Sequence, residues 1–83
     1  MRPEDKRALR EEVIELFRSY EEDPAAARRR ARELHATHKG QISLLEEDLA
    51  RAIQVLEELA YAEKPVDEQT LRETLDLLEK ARR

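Results

Sequence analysis

Two histidines three positions apart are the residues of this chain whose type and spacing come closest to a chemical site. His35 and His38 are the only histidines, and the chain has no cysteine. Residues three apart share a helix face, so the two imidazoles could bind one metal ion, but zinc needs three or four ligands. Any further ligand must come from another helix or chain. We therefore expect no cofactor. We place His38 at the end of the buried stripe of its helix and His35 at the rim of that stripe, with a pH-sensitive pair as a further alternative.

The segment His38-Lys39-Gly40 resembles part of the phosphorylated motif of histidine phosphotransfer domains, which are four-helix proteins. In that family Lys and Gly follow the histidine by three and four residues. Here they follow His38 by one and two residues, and His35 by four and five. Neither histidine has the lysine where it would face a phosphoryl group. A histidine-dependent metal-binding or phosphotransfer role is therefore the alternative function, and a binding function is preferred.

Carboxylates and hydroxyls give no pattern typical of an enzyme. Glu11, Glu12 and Glu15 lie off the apolar stripe of their helix, and the Glu-x-x-His motif of bundle metal sites does not occur. Neither Ser19 nor Ser43 has a histidine and an acid at a suggestive spacing. We expect a protein without enzymatic activity.

Charge is distributed unevenly along the chain. Residues 24–42 carry five basic residues and one acidic residue, including Arg28, Arg29, Arg30 and Arg32, whereas residues 43–63 carry one basic and six acidic residues. The simplest interpretation is a solvated basic helix beside acidic neighbours, and the next is an acidic protein partner. Nucleic acid is disfavoured because the net charge is −4 and only 4% of the residues are aromatic.

Composition predicts an all-α fold in a single domain of residues 1–83. The 83 residues include one Gly, three Pro and 43% charged residues, and the sequence is rich in Leu, Ala, Glu and Arg, which favour helices. Breaks at Asp23-Pro24, Gly40 and Lys64-Pro65 predict a compact four-helix bundle with short loops and helices over about 3–22, 24–39, 43–63 and 67–82.

Two local signals specify the break between the second and third helices. Gly40 follows His38-Lys39 as a left-handed C-cap would. Ser43 and Glu46 have the spacing of a capping box, which predicts that the third helix begins at Leu44.

Helical periodicity predicts one buried stripe on each helix. The predicted stripes are Leu9, Val13, Leu16, Phe17 and Tyr20; Ala27, Ala31, Leu34 and His38; Leu45, Leu49, Ala52, Ile53, Leu56 and Ala60; and Leu71, Leu75, Leu78 and Ala81.

A second apolar row on the third helix is the predicted partner-binding surface. Charged residues lie between its apolar members, as on a helix face that binds a protein. The predicted partner-binding residues are Leu44, Asp48, Arg51, Val55, Leu59 and Ala62, together with the off-stripe Ile14. Such a surface would bind a protein partner or a second copy of the chain. Burial under a neighbouring helix is the alternative.

The whole chain is similar in style to de novo designed helical bundles, such as miniprotein binders and scaffolds. Its capped or proline-led helix starts, short loops and surfaces of Glu and Arg, as in Arg28-Arg29-Arg30-Ala31-Arg32, follow design rules. The resemblance implies a non-enzymatic interaction module or a scaffold, or a folded bundle with no partner at all. We expect a cytosolic location and no membrane segment, since the start is polar and apolar runs are short.

Overall fold

Four α-helices and one 3₁₀ segment make up the part of the chain that the computed structural model describes, residues 2–82. The helices are α1 (Pro3–Ser19), α2 (Pro24–His38), α3 (Glu47–Tyr61) and α4 (Glu68–Arg82), and the 3₁₀ segment is Lys39–Leu44. The predicted all-α class and four-helix bundle are confirmed. No strand occurs among these residues.

Each helix packs against two others, so the bundle is closed. The packed pairs are α1 with α2, α2 with α3, α3 with α4, and α4 with α1. Their inward faces form one apolar core, to which α3 contributes the most side chains. The fully buried large side chains include Val13, Ile14, Leu49, Ile53, Leu56 and Leu78.

Proline and aspartate fix where the helices begin. Pro3 and Pro24 stand at first helical positions, where the missing N–H has no intrahelical partner to lose. Asp23 accepts a hydrogen bond from the Ala26 N–H at 3.2 Å, and Asp67 accepts one from the Gln69 N–H at 3.2 Å. These caps satisfy donors that a helix start otherwise leaves free.

The predicted caps between α2 and α3 are wrong. Gly40 has no positive φ, so the chain continues from α2 into a right-handed 3₁₀ segment instead of reversing at a left-handed residue. Ser43 does not cap α3, which begins at Glu47 after an extended Leu45. The Glu46 carboxylate accepts a hydrogen bond from Arg10 at 3.2 Å instead of closing a capping box. The 3₁₀ turn also packs Ile42 against the core.

The first helix ends at Ser19, three residues before its predicted end. The Ser19 carbonyl accepts hydrogen bonds from the N–H groups of both Glu22 and Asp23, which tightens the last turn. Asp23 then leaves the helical region, as a residue before proline must, and caps α2.

Three core assignments also differ from the predicted stripes. Ile14 is buried rather than at an edge, because the neighbouring Arg10 reaches α3 and the buried arc of α1 extends to that side. On α4, Ala81 is exposed whereas Thr74 is fully buried. The Thr74 hydroxyl donates to the Thr70 carbonyl at 2.8 Å, which satisfies its polar group inside the core.

One buried ion pair joins α1 to the start of α3. Arg10 is 9% exposed and Asp48 is 7% exposed, and the Arg10 Nε lies 2.9 Å from Asp48 Oδ2. The hydrogen bond to Asp48 raises the pKa of Arg10, with burial opposing it, so the guanidinium stays charged. Because Asp48 would otherwise be a buried lone charge, the pair fixes how α1 meets α3.

Gly40→Ala is expected to leave stability unchanged or to raise it by about 0.4–1 kcal/mol, because alanine reduces the entropy of the unfolded chain. A Cβ at this position meets no atom within 4 Å, and φ is not positive. Urea unfolding measures the effect. A clear loss of stability would contradict the right-handed path through Gly40.

Arg10→Met is expected to destabilise the fold by about 3 kcal/mol, since it leaves the Asp48 carboxylate buried and unpaired. The double variant Arg10→Met/Asp48→Leu should lie within about 1 kcal/mol of the parent, because no lone charge remains. Urea unfolding of both single variants and the double variant gives the coupling. Simple additivity of the two single effects would rule out a coupled buried pair.

Candidate protein-docking surface

The inner face of α2 is built mainly from small residues, and its outer face is basic. Ala27, Ala31 and Leu34 are the buried residues of α2. Short side chains let the backbone of α2 lie close to its neighbours, and the long Arg side chains then occupy the remaining circumference. We call its exposed cations Arg28, Arg29 and Arg32, with Lys39 just beyond the helix, the basic ridge.

The cations of the basic ridge have no carboxylate partner among residues 2–82. Arg28 Nε donates to the Leu59 carbonyl at 3.3 Å, which fixes the side chain without neutralising it. Arg29 and Arg32 form no ion pair within the same range. The ridge therefore presents positive charge that the described chain does not compensate.

Arg30 differs from the ridge because it is already paired. Its guanidinium lies 2.8 Å from Glu33 and 3.2 Å from Glu12 of α1. The hydrogen bond to Glu33 is the main cause that raises the pKa of Arg30. This side chain links α2 to α1 and separates the basic ridge from the acidic side of α1.

An exposed aromatic side chain adjoins the basic ridge. Tyr61, the last residue of α3, is 55% exposed, and the Arg32 guanidinium carbon lies 5.7 Å from its ring centre. His35 packs edge-on against the same ring, with centroids 5.7 Å apart and planes at 73°. Cation–π contact and edge packing hold the ring in place while the residue stays more than half exposed. Sequence reasoning missed Tyr61; the signal was its position off the α3 stripe.

The predicted row on α3 does not form one surface. The structure buries Val55, Leu59 and Ile14 in the core and pairs Asp48 with Arg10. The other members of the row are exposed but spread along the chain. Leu44 ends the 3₁₀ segment, Arg51 lies within α3, and Ala62 is the C-cap of α3. The alternative expected for this row, burial under neighbouring helices, is correct for Val55 and Leu59. These residues are covered because α3 packs against both α2 and α4.

The two histidines are not brought together with further ligands. No group of three or more His, Asp or Glu that could hold a metal occurs among residues 2–82. The Nδ1 atoms of His35 and His38 are buried and make no hydrogen bond within the protein. The His35 Nε2 lies 3.4 Å from Glu57. Within the described residues the structure therefore brings no third ligand to these imidazoles.

No protein-family model matches this chain, and no curated protein or solved structure is significantly similar to it. None of the described helices combines the length and apolar character needed to cross a membrane.

Val55→Asp or Leu59→Asp is expected to abolish cooperative folding, because each places an unpaired carboxylate in the core at a cost of several kcal/mol. Leu44→Asp is the matched control, since Leu44 is 62% exposed. Circular dichroism during heating distinguishes them: the control should melt as the parent does. If Val55→Asp and Leu59→Asp melt as the parent does, the burial of Val55 and Leu59 in the core is contradicted.

Proposed function

We propose that this chain is a non-enzymatic protein-interaction module that docks an acidic partner segment on the basic ridge and Tyr61. The observation that carries the proposal is the absence of carboxylate partners for Arg28, Arg29 and Arg32 within residues 2–82. The cytosolic location and the designed origin expected from the sequence belong to the same proposal.

The composition of the surface supports a protein partner. Arg and Tyr are enriched among the residues that contribute most binding energy in protein interfaces. Here Arg32 and Tyr61 are in contact before any partner binds, so part of the ordering cost is already met. Arg28 is likewise fixed by its hydrogen bond to Leu59.

Charge supports an acidic segment as the partner. Guanidinium groups form bidentate pairs with carboxylates, and steering between opposite charges speeds association. Nucleic acid is less well supported, because the whole chain is net negative and only 4% of its residues are aromatic.

Arg29→Glu is expected to weaken binding of a labelled helical peptide rich in Glu and Leu by at least about tenfold, which corresponds to about 1.4 kcal/mol. Repulsion replaces attraction at an exposed position, so circular dichroism should not change. Fluorescence anisotropy at low ionic strength measures the dissociation constant.

The matched control is Arg72→Glu, which makes the same charge change on the exposed face of α4. It should bind the peptide as the parent does. Equal weakening by both variants would show a response to net charge alone and would contradict docking on the basic ridge.

A further inference from the structure

An acidic groove runs between α1 and α2, on the other side of Arg30 from the basic ridge. Its volume is about 480 Å³. Four carboxylates line it, against one cation, Arg30. The acidic side chains are Glu11, Glu12, Glu15 and Asp23, and the remaining lining residues are Leu16, Ser19, Ala26 and Ala27. We call this feature the acidic groove.

The carboxylates of the acidic groove are only partly compensated. Glu12 pairs with Arg30 at 3.2 Å, and Glu11 pairs with Arg82 of α4 at 3.3 Å. Glu15 makes no ion pair with any residue in the described range. The groove therefore retains negative charge on the face next to a ridge that retains positive charge.

The groove and Arg29 of the basic ridge lie at the same level along α2. Helices α1 and α2 are antiparallel, since Ser19 lies near Ala26 and Asp5 lies near His38. The groove carboxylates accordingly adjoin the turns of α2 around Ala26 and Arg30, and Arg29 projects from those same turns on the outer side.

Small side chains leave the outer side of α2 open to close approach. Ala25 and Ala36 are exposed on the same side as Arg29, and Ala26 is exposed at the edge of the groove. A surface that carries an unpaired cation and a groove of opposite charge is complementary in charge to a second copy of itself.

We propose that the acidic segment docked by the basic ridge is α1 of a second copy of this chain, an inference that rests on the proposed function. A two-fold axis running parallel to α2 places Arg29 of each copy's basic ridge against the acidic groove of the other. Both contacts are then identical, as a closed symmetric dimer requires. Arg29 of each copy lies among carboxylates of its partner's groove, near Glu15.

The chemistry of the contact makes the dimer sensitive to salt. The groups that meet are exposed and charged, and Leu16 is already buried in the monomer, so little further apolar surface is removed from water. Ionic screening at 0.5 M salt, where the Debye length is only about 4 Å, therefore weakens association.

Sedimentation equilibrium at low ionic strength tests the proposal with a charge exchange. Arg29→Glu and Glu15→Arg should each lower the association constant by at least about tenfold, because each homodimer then places like charges together twice. An equimolar mixture of the two variants should recover dimer, since both contacts in the mixed pair join opposite charges. The double variant Arg29→Glu/Glu15→Arg should recover it for the same reason.

Matched controls use the exposed Arg72–Glu68 pair of α4. Arg72→Glu and Glu68→Arg make the same charge changes and should leave the association constant unchanged. A parent that stays monomeric at low ionic strength, or variants that fail to recover dimer on mixing, would overturn the dimer.

Peptide binding separates failure of the dimer from failure of the proposed function. Glu15→Arg should still bind the Glu- and Leu-rich peptide at least as tightly as the parent, because its basic ridge is intact. One outcome is that the charge-exchange variants leave the association constant unchanged while Arg29→Glu still weakens peptide binding. The dimer proposal is then wrong, and docking of an acidic segment on the basic ridge stands. If Arg29→Glu binds the peptide like the parent, docking on the ridge is wrong as well.

Discussion

Close packing of α2 through small side chains is the constraint on which the other features depend. With Ala27 and Ala31 fully inside and Leu34 as its one large buried residue, α2 contributes little hydrophobic burial of its own. It is held between α1 and α3, which supply most of the core. The same arrangement directs its long cationic side chains outward and brings Arg32 onto Tyr61 of α3. A helix that contributes little to the core is thereby free to carry a charged outer surface.

Two kinds of ion pair have different consequences in this bundle. The Arg10–Asp48 pair is buried, so its geometry is specific and the loss of one partner is costly. The pairs of Arg30 with Glu12 and of Arg82 with Glu11 are about half exposed and contribute little to stability. Exposed pairs can exchange partners at small cost. The exposed charged side chains of α1 and α2 can therefore pair with a binding partner, whereas the buried Arg10 and Asp48 cannot.

The sequence predicts the fold class and the number of helices because periodicity, proline positions and Asp23 all act locally. It fails where a distant residue decides the outcome. Glu46 looks like half of a capping box, yet Arg10, far away in the sequence, takes its carboxylate. The sequence places Val55 on a second apolar face of α3, but the structure buries it because both α2 and α4 pack against α3. The basic ridge was visible as a charge pattern, whereas its contact with Tyr61 depends on how α2 and α3 pack.

The claim that the outer face of α2 is a docking surface is tested most directly by mapping the contact residue by residue. In a ¹H–¹⁵N correlation titration with the Glu- and Leu-rich peptide, the largest shifts should fall on Arg28, Arg29, Arg32 and Tyr61. Shifts concentrated instead around the cleft between α1 and α4, which Phe17 and Leu75 help to line, would contradict it.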